Sequence, residues 1–151
     1  MNDFSAGHLL KQEFSEWRSL FEGYARFYDT EINDEIAGNV WAWIHDSSHV
    51  VQGVGVREAG GSLIGFAHVR ACPRPLAGKD IGFLDDMYLH PDYRGLGAAD
   101  VLFEGVERVA VAEQWSAVRW ITQHFNRRGR AFYDRYVEGP TDFIVYQKSL
   151  V

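Results

Sequence analysis

The sequence predicts an α/β domain (α+β in some schemes), with a mixed central sheet of six or seven strands and about four helices on both faces. Three observations carry that expectation. The apolar period changes between helical and strand spacing from segment to segment. Residues 81–122 form a strand–helix–strand unit of the kind that makes a parallel pair. No repeat, low-complexity tract or linker interrupts the 151 residues, so residues 1–151 read as one domain, long enough to bury a core of its own.

The elements follow in order. Residues 8–11 are a short first strand. Between residues 12 and 29, Phe14, Trp17, Phe21, Tyr24 and Tyr28 recur at alternating three- and four-residue steps, which puts them on one helix face. Ile32, Ile36, Val40, Trp41 and Ile44 repeat the pattern in a second helix, with Thr30 or Asn33 as its cap. Residues 49–58 and 62–72, rich in Val, Ile, Leu and Phe, are two strands of a hairpin joined by Ala59-Gly60-Gly61. Gly53 and Gly55 inside the first of them mark close packing or a bulge. Pro73 to Gly78 breaks regular structure, and residues 81–89 are the next strand. His90-Pro91-Asp92-Tyr93-Arg94-Gly95 is a loop into a helix at residues 97–114, whose apolar stripe is Leu102, Val106, Val109 and Ala110. A strand at 117–122, a helix at 126–137 and a last strand at 143–148 complete the chain.

Composition excludes several classes of function. No apolar run reaches the ~18–20 residues of a membrane span, and the N-terminus has neither the basic segment nor the apolar core of a secretory signal. Cys72 is the single cysteine, so no internal disulfide forms and a cytoplasmic location is expected. A net charge of −6 disfavours nucleic acid. It serves solubility, and it is compatible with a cationic substrate.

The stretch richest in chemistry is Leu84-Asp85-Asp86-Met87-Tyr88-Leu89-His90-Pro91-Asp92-Tyr93-Arg94-Gly95-Leu96-Gly97-Ala98-Ala99. A strand ends, Pro91 stops its pairing, and two glycines stand where a helix begins. Glycine lets the backbone take positive φ and come close to a ligand. The amides of a helix's first turn suit an anion. Alone, Gly95 and Gly97 would mark a strand-to-helix turn, and the spacing matches neither a Gly-x-x-x-x-Gly-Lys-Ser/Thr loop nor a dinucleotide fingerprint.

With its flanks, the loop resembles that of the GNAT superfamily of N-acetyltransferases. Arg94, Gly97 and Ala99 fit the pattern Gln/Arg-x-x-Gly-x-Gly/Ala, and Leu89-His90-Pro91 fits the step before it. Downstream, Asn126-Arg127-Arg128-Gly129-Arg130-Ala131-Phe132-Tyr133-Asp134 is similar to Asn-x-x-Ala-x-x-Leu-Tyr-Asp, departing at Gly129 and Phe132. The resemblance implies that the amides of Arg94, Gly95, Leu96, Gly97, Ala98 and Ala99 bind the pyrophosphate of coenzyme A. It implies that the backbone of Met87, Tyr88 and Leu89 contacts the pantetheine arm and acetyl carbonyl, and that Asn126 contacts the coenzyme. Tyr133 is then the acid that protonates the departing thiolate. Arg127, Arg128 and Arg130, otherwise a solvated face, are candidates for the adenosine 3′-phosphate. Residues 84–88 and 120–123, with the aromatic first helix, look like the histone-and-polyamine acetyltransferase-like branch. A homodimer is common in the family.

Acetyl transfer sets its own demand. An alkyl amine of pKa ~10.4 is protonated at pH 7, and removing that proton costs about 4.6 kcal/mol. Alternation points Asp85 and Asp86 to opposite faces of their strand, and Asp85 is the expected base, acting through water. Cys72, in an apolar strand without a base beside it, reads as an inert thiol. His45 and His49 straddle a helix end and a strand start, and no His-Glu-x-x-His or Cys-x-x-Cys is present, so no metal is expected. The expected function is therefore acetyl transfer from acetyl-CoA to a primary amine of a small molecule or peptide. The alternative is a non-catalytic acyl-CoA-binding module.

Overall fold

The aromatic stripe of the first helix sets where the core lies. The computed structural model describes residues 3–151, and these fall into two compact units, Met1–Trp120 and Ile121–Val151. In the first unit, helix α1 (Phe14–Phe27) buries Trp17, Leu20, Phe21 and Ala25. Helix α2 (Asp34–Ile44) meets it through Trp41, whose ring lies 4.8 Å from that of Trp17 and 5.4 Å from that of Phe14. Asn33 rather than Thr30 caps α2, its side chain accepting the Ile36 N–H at 2.8 Å. Such a cap is worth about 1 kcal/mol.

The strands are β1 (Ser5–His8), β2 (Val51–Arg57), β3 (Leu63–Arg74), β4 (Lys79–Leu89) and β5 (Val118–Trp120). They form one mixed sheet in the order β1-β2-β3-β4-β5. The first four pair antiparallel, while β5 joins β4 in parallel after helix α3 (Ala98–Ala112). The glycines of β2 exist for close packing. A Cβ on Gly53 would stand 2.7 Å from Leu9 and 2.9 Å from Ile44, and one on Gly55 2.6 Å from Leu63. On the opposite face, Val54 and Ala6 press against Gly105 of α3, at 3.0 and 2.9 Å from the position its Cβ would take. Alternation along β2 thus sends α1 and α2 to one face and α3 to the other.

The fold class holds, and the strand count is corrected. Five strands, not six or seven, are present among the described residues. Residues 143–148 have strand-forming side chains but pair with no other strand, and Phe143, Ile144, Val145 and Tyr146 stay exposed. Strand propensity without a hydrogen-bonding neighbour does not make a strand. The first strand also lies earlier than residues 8–11. The Leu10 N–H is taken by the Glu13 carboxylate at 2.8 Å, which turns residues 11–13 into a 3-10 entry to α1. Buried Glu13 also meets Arg57 of β2 at 2.5 Å. In the second unit, helix α4 is Arg127–Tyr133, shorter than 126–137. Past Tyr133 the bonds from Arg135 to Phe132 and from Tyr136 to Tyr133 span only three residues, so the helix tightens into turns.

Candidate functional site

The site is built on the C-terminal half of β4. Strand β5 pairs with β4 only at Gly82, Phe83 and Leu84. From residue 86 to 89, β4 has a strand partner, among the described residues, on the β3 side alone. Backbone groups that point away from β3 there form an open edge, which an extended ligand carrying amides can match. Met87, Tyr88 and Leu89 all lie on that stretch.

The loop after β4 is anchored before it opens. Residues 91–93 form a 3-10 turn in which His90 Nδ1 accepts the Asp92 N–H at 3.2 Å. The Tyr93 hydroxyl donates to Glu58 at 2.8 Å. Arg94 Nε donates to the Leu89 carbonyl at 3.1 Å, with its guanidinium 5.4 Å from the centre of the Tyr88 ring. Gly95 and Gly97 follow with φ of 78° and 92°, the left-handed region that side chains with a Cβ avoid. A Cβ on either would meet nothing within 4 Å. It is the backbone conformation, not crowding, that requires glycine here. Gly97 is the N-cap of α3 and has no side-chain capping bond. Positive φ at two nearby residues and a helix start together form a concavity of amides suited to a diphosphate.

The two adjacent aspartates part company. Residue 85 is the extra residue of a bulge between the His68–Asp86 and Val69–Leu84 pairs, which interrupts simple alternation. Asp85 is exposed and receives the Arg70 Nε–H at 2.8 Å. Hydrogen bonding to Asp85 holds the Arg70 guanidinium above its ordinary pKa, and Arg70 also covers the Phe83 ring at 4.7 Å.

Asp86 is half-buried, its Oδ2 2.8 Å from His68 Nδ1. The other ring nitrogen of His68, a residue only 3% exposed, accepts the Trp17 indole N–H at 3.0 Å. Because the indole nitrogen can only donate, Nε2 must accept, and the ring proton sits on Nδ1 and donates to Asp86. Burial and then the charge of Asp86 raise the pKa of the Tyr24 hydroxyl far above its ordinary value, so it stays protonated. The Tyr24 ring lies 6.0 Å from both Phe66 and Tyr88. A carboxylate among aromatic rings suits an alkylammonium, through charge and ring quadrupoles alike.

In the second unit Asn126 caps α4. Its Oδ1 accepts the Gly129 N–H and its Nδ2 donates to Thr122 Oγ1, both at 3.1 Å. Gly129 makes room for that amide, since a Cβ there would lie 2.5 Å from Asn126 Nδ2. Tyr133 is half-buried at the end of α4, its ring 5.7 Å from Phe132. Arg130 is tied to the His124 carbonyl at 2.9 Å, whereas Arg127 and Arg128 are exposed.

Among the described residues no group of three or more His, Cys, Asp or Glu could hold a metal ion. His45 lies against Trp41 and His49 stacks on Trp43, so each histidine has its own ring partner. Cys72 is half-buried.

The acetyltransferase (GNAT) family matches residues 8–137. The D-amino-acid N-acetyltransferase HPA3 of Saccharomyces cerevisiae is 27% identical over 134 residues, covering 88% of this chain and 83% of the yeast protein. Among solved structures, a ribosomal-protein-alanine N-acetyltransferase from Brucella melitensis biovar Abortus superposes with a TM-score of 0.76 at 23% identity, covering 99% of both chains. The aminoglycoside N-acetyltransferase AAC(6')-Iy in complex with CoA gives 0.82 at 15% identity, covering 100% of this chain and 97% of that one. The chain belongs to the GNAT family and is an N-acetyltransferase of that type.

Sequence reasoning singled out the loop and β4. It missed Trp17, Tyr24 and His68 as partners of an aspartate. These lie 51 and 18 residues apart along the Trp17–His68 and His68–Asp86 contacts. The one available hint was a lone histidine in the apolar run Leu63-Ile64-Gly65-Phe66-Ala67-His68-Val69, where a buried ring nitrogen demands a partner.

Proposed function

We propose that the protein moves the acetyl group of acetyl-CoA directly to a primary amine of a small molecule or peptide. The observation that carries this reading is the loop of residues 94–99, with two left-handed glycines before a helix start that lacks a side-chain cap. Its amides fit the coenzyme's diphosphate, and the open edge of residues 87–89 fits an extended amide-bearing arm. When bound, acetyl-CoA supplies the thioester carbonyl.

This chain's residues supply the rest. Asp86, among the aromatic rings, holds the ammonium and takes its proton, which lets the neutral amine attack. Two features favour Asp86 over Asp85 for that role. Asp85 is neutralised by Arg70 at the surface, whereas Asp86 is oriented by a buried donor. A positioned base contributes about 10²–10⁴-fold. The β4 amides stabilise the developing oxyanion. Tyr133, carried over from the sequence resemblance, returns a proton to the thiolate.

The yeast relative acts on D-amino acids by its name, which makes the α-amine of an amino acid the first acceptor to try. The likeness of residues 84–88 to the histone-and-polyamine group adds polyamines and lysyl peptides. The test is release of free thiol from acetyl-CoA with D-phenylalanine, D-methionine, spermidine, kanamycin and a lysyl peptide. Acetylated product is expected from at least one. Coenzyme binding with no thiol release from any would favour an acyl-CoA-binding module instead. Tyr133→Phe is expected to lower kcat about tenfold with coenzyme affinity unchanged, and a loss of affinity alone would count against the acid role. The reading includes a cytoplasmic location, on the single cysteine, and a homodimer, which the exposed apolar side chains of residues 143–146 support.

A further inference from the structure

We propose that His68, locked by the indole of Trp17, is a positioning residue that aims the Asp86 carboxylate for proton transfer. This rests on the reading of Asp86 as the proton acceptor. The geometry sets out a chain of fixed direction. The Trp17 N–H donates to Nε2 at 3.0 Å and His68 Nδ1 lies 2.8 Å from Asp86 Oδ2. Trp17 is fully buried and His68 nearly so, and Phe21 and Phe66 hold the imidazole from two sides at 5.1 and 4.7 Å between ring centres. Neither ring of the relay can turn without breaking core packing. Asp86 lies at the outer end, half-buried.

A histidine that serves only packing would not need this. An apolar side chain of similar volume would fill the same space without two buried nitrogens to satisfy. The polar groups form a line that ends on one carboxylate oxygen, Oδ2 of Asp86.

The groups that bear on Asp86 come from three elements. Tyr24 faces it from α1, with Tyr28 behind; His68 faces it from β3; Asp85, neutralised by Arg70, and Tyr88, covered by Arg94, share its own strand. Both His68 and Tyr24 hydrogen-bond the carboxylate, and the imidazole is itself held from behind by the Trp17 indole. Without that imidazole the carboxylate loses the contact that fixes its Oδ2.

The test compares His68→Leu and His68→Asn with the wild-type enzyme. The acceptor is whichever of D-phenylalanine, D-methionine, spermidine and kanamycin gives the highest kcat/KM. His68→Leu is expected to lose about 10- to 100-fold in kcat, the span of a hydrogen bond to a charged group. Its affinity for coenzyme A is expected to stay unchanged. His68→Asn, whose amide replaces the Nδ1 donor, is expected to recover most of the lost kcat. A folded His68→Leu with wild-type kcat, or a folded His68→Asn no faster than His68→Leu, overturns the proposal.

Should either variant fail to fold, nitrogen-15 NMR of the wild-type ring decides. A proton on Nδ1 with Nε2 bare supports the relay, and a proton on Nε2 overturns it. Asp86→Asn separates the two readings. Undiminished turnover there sinks the base assignment and the positioning role with it. Lost turnover there, beside wild-type kcat in His68→Leu, sinks the positioning role alone.

Discussion

The loop of residues 94–99 and the notch around Asp86 are joined by a few residues of β4, yet they are built from opposite materials. The loop offers backbone, and the reading proposed for it is recognition of the coenzyme. Its requirements are two positive φ angles, at Gly95 and Gly97, and a helix start with no capping side chain. The identities of Leu96 and Ala98 matter little to that. The surroundings of Asp86 offer side chains, taken from α1, β3 and β4, and each holds the next. The proposed coenzyme site is written in a handful of neighbouring letters. The proposed acceptor site is assembled from residues scattered along the chain. The difference teaches why a backbone motif is legible in a sequence and a side-chain cluster is not.

The largest effect that would sharpen this contrast is expected at Asp86→Asn. Turnover should fall about 10²–10⁴-fold, while affinity for coenzyme A, measured by calorimetry, stays as in the wild type. Coenzyme affinity falling together with turnover would break the division between the two regions.

Buried charge that serves only the fold provides the next contrast. Burial works against the charged form of Glu13, but the Arg57 guanidinium and the Leu10 N–H outweigh it, so the carboxyl titrates below its ordinary value. A depressed folded-state value contributes stability above the unfolded pKa and loses it as pH falls through the folded one. Glu13→Gln leaves Arg57 without its carboxylate and should cost about 3 kcal/mol at pH 7 in denaturant melts. The gap to wild type should close below about pH 4, with turnover per folded molecule unchanged. A gap that persists undiminished in acid would mean that lost packing, not charge, is responsible.

The smallest effect is expected at Asp85→Asn. Its pair with Arg70 is exposed at the surface, where such bridges contribute about 0–1 kcal/mol. Stability should move by less than that, and kcat by no more than about threefold, a change of the same order. A drop matching that of Asp86→Asn would restore Asp85 as the base.

How much was legible in the sequence follows the same division. The helix faces of α1 and α3, the β2–β3 hairpin and the loop into α3 follow from periodicity and glycine placement, because those signals act between near neighbours. Residues 143–148 mislead for a related reason. Valine, isoleucine and aromatics favour an extended chain, but pairing depends on a partner strand that propensity does not supply. The choice between Asp85 and Asp86 was beyond sequence reasoning because alternation assumes an unbroken pleat. The bulge at residue 85 and the contact between Trp17 and His68 across 51 residues exist only once the sheet has formed.

The central claim is that the backbone of residues 94–99 holds the coenzyme, and Gly97→Val tests it most directly. A β-branched side chain at a φ of 92° costs about 1–3 kcal/mol, and relief of that strain would undo the turn. Calorimetric titration should give a coenzyme A affinity about 10- to 100-fold weaker than that of the wild type, in a variant that remains folded. Equal affinity in the two proteins would contradict the assignment of the loop.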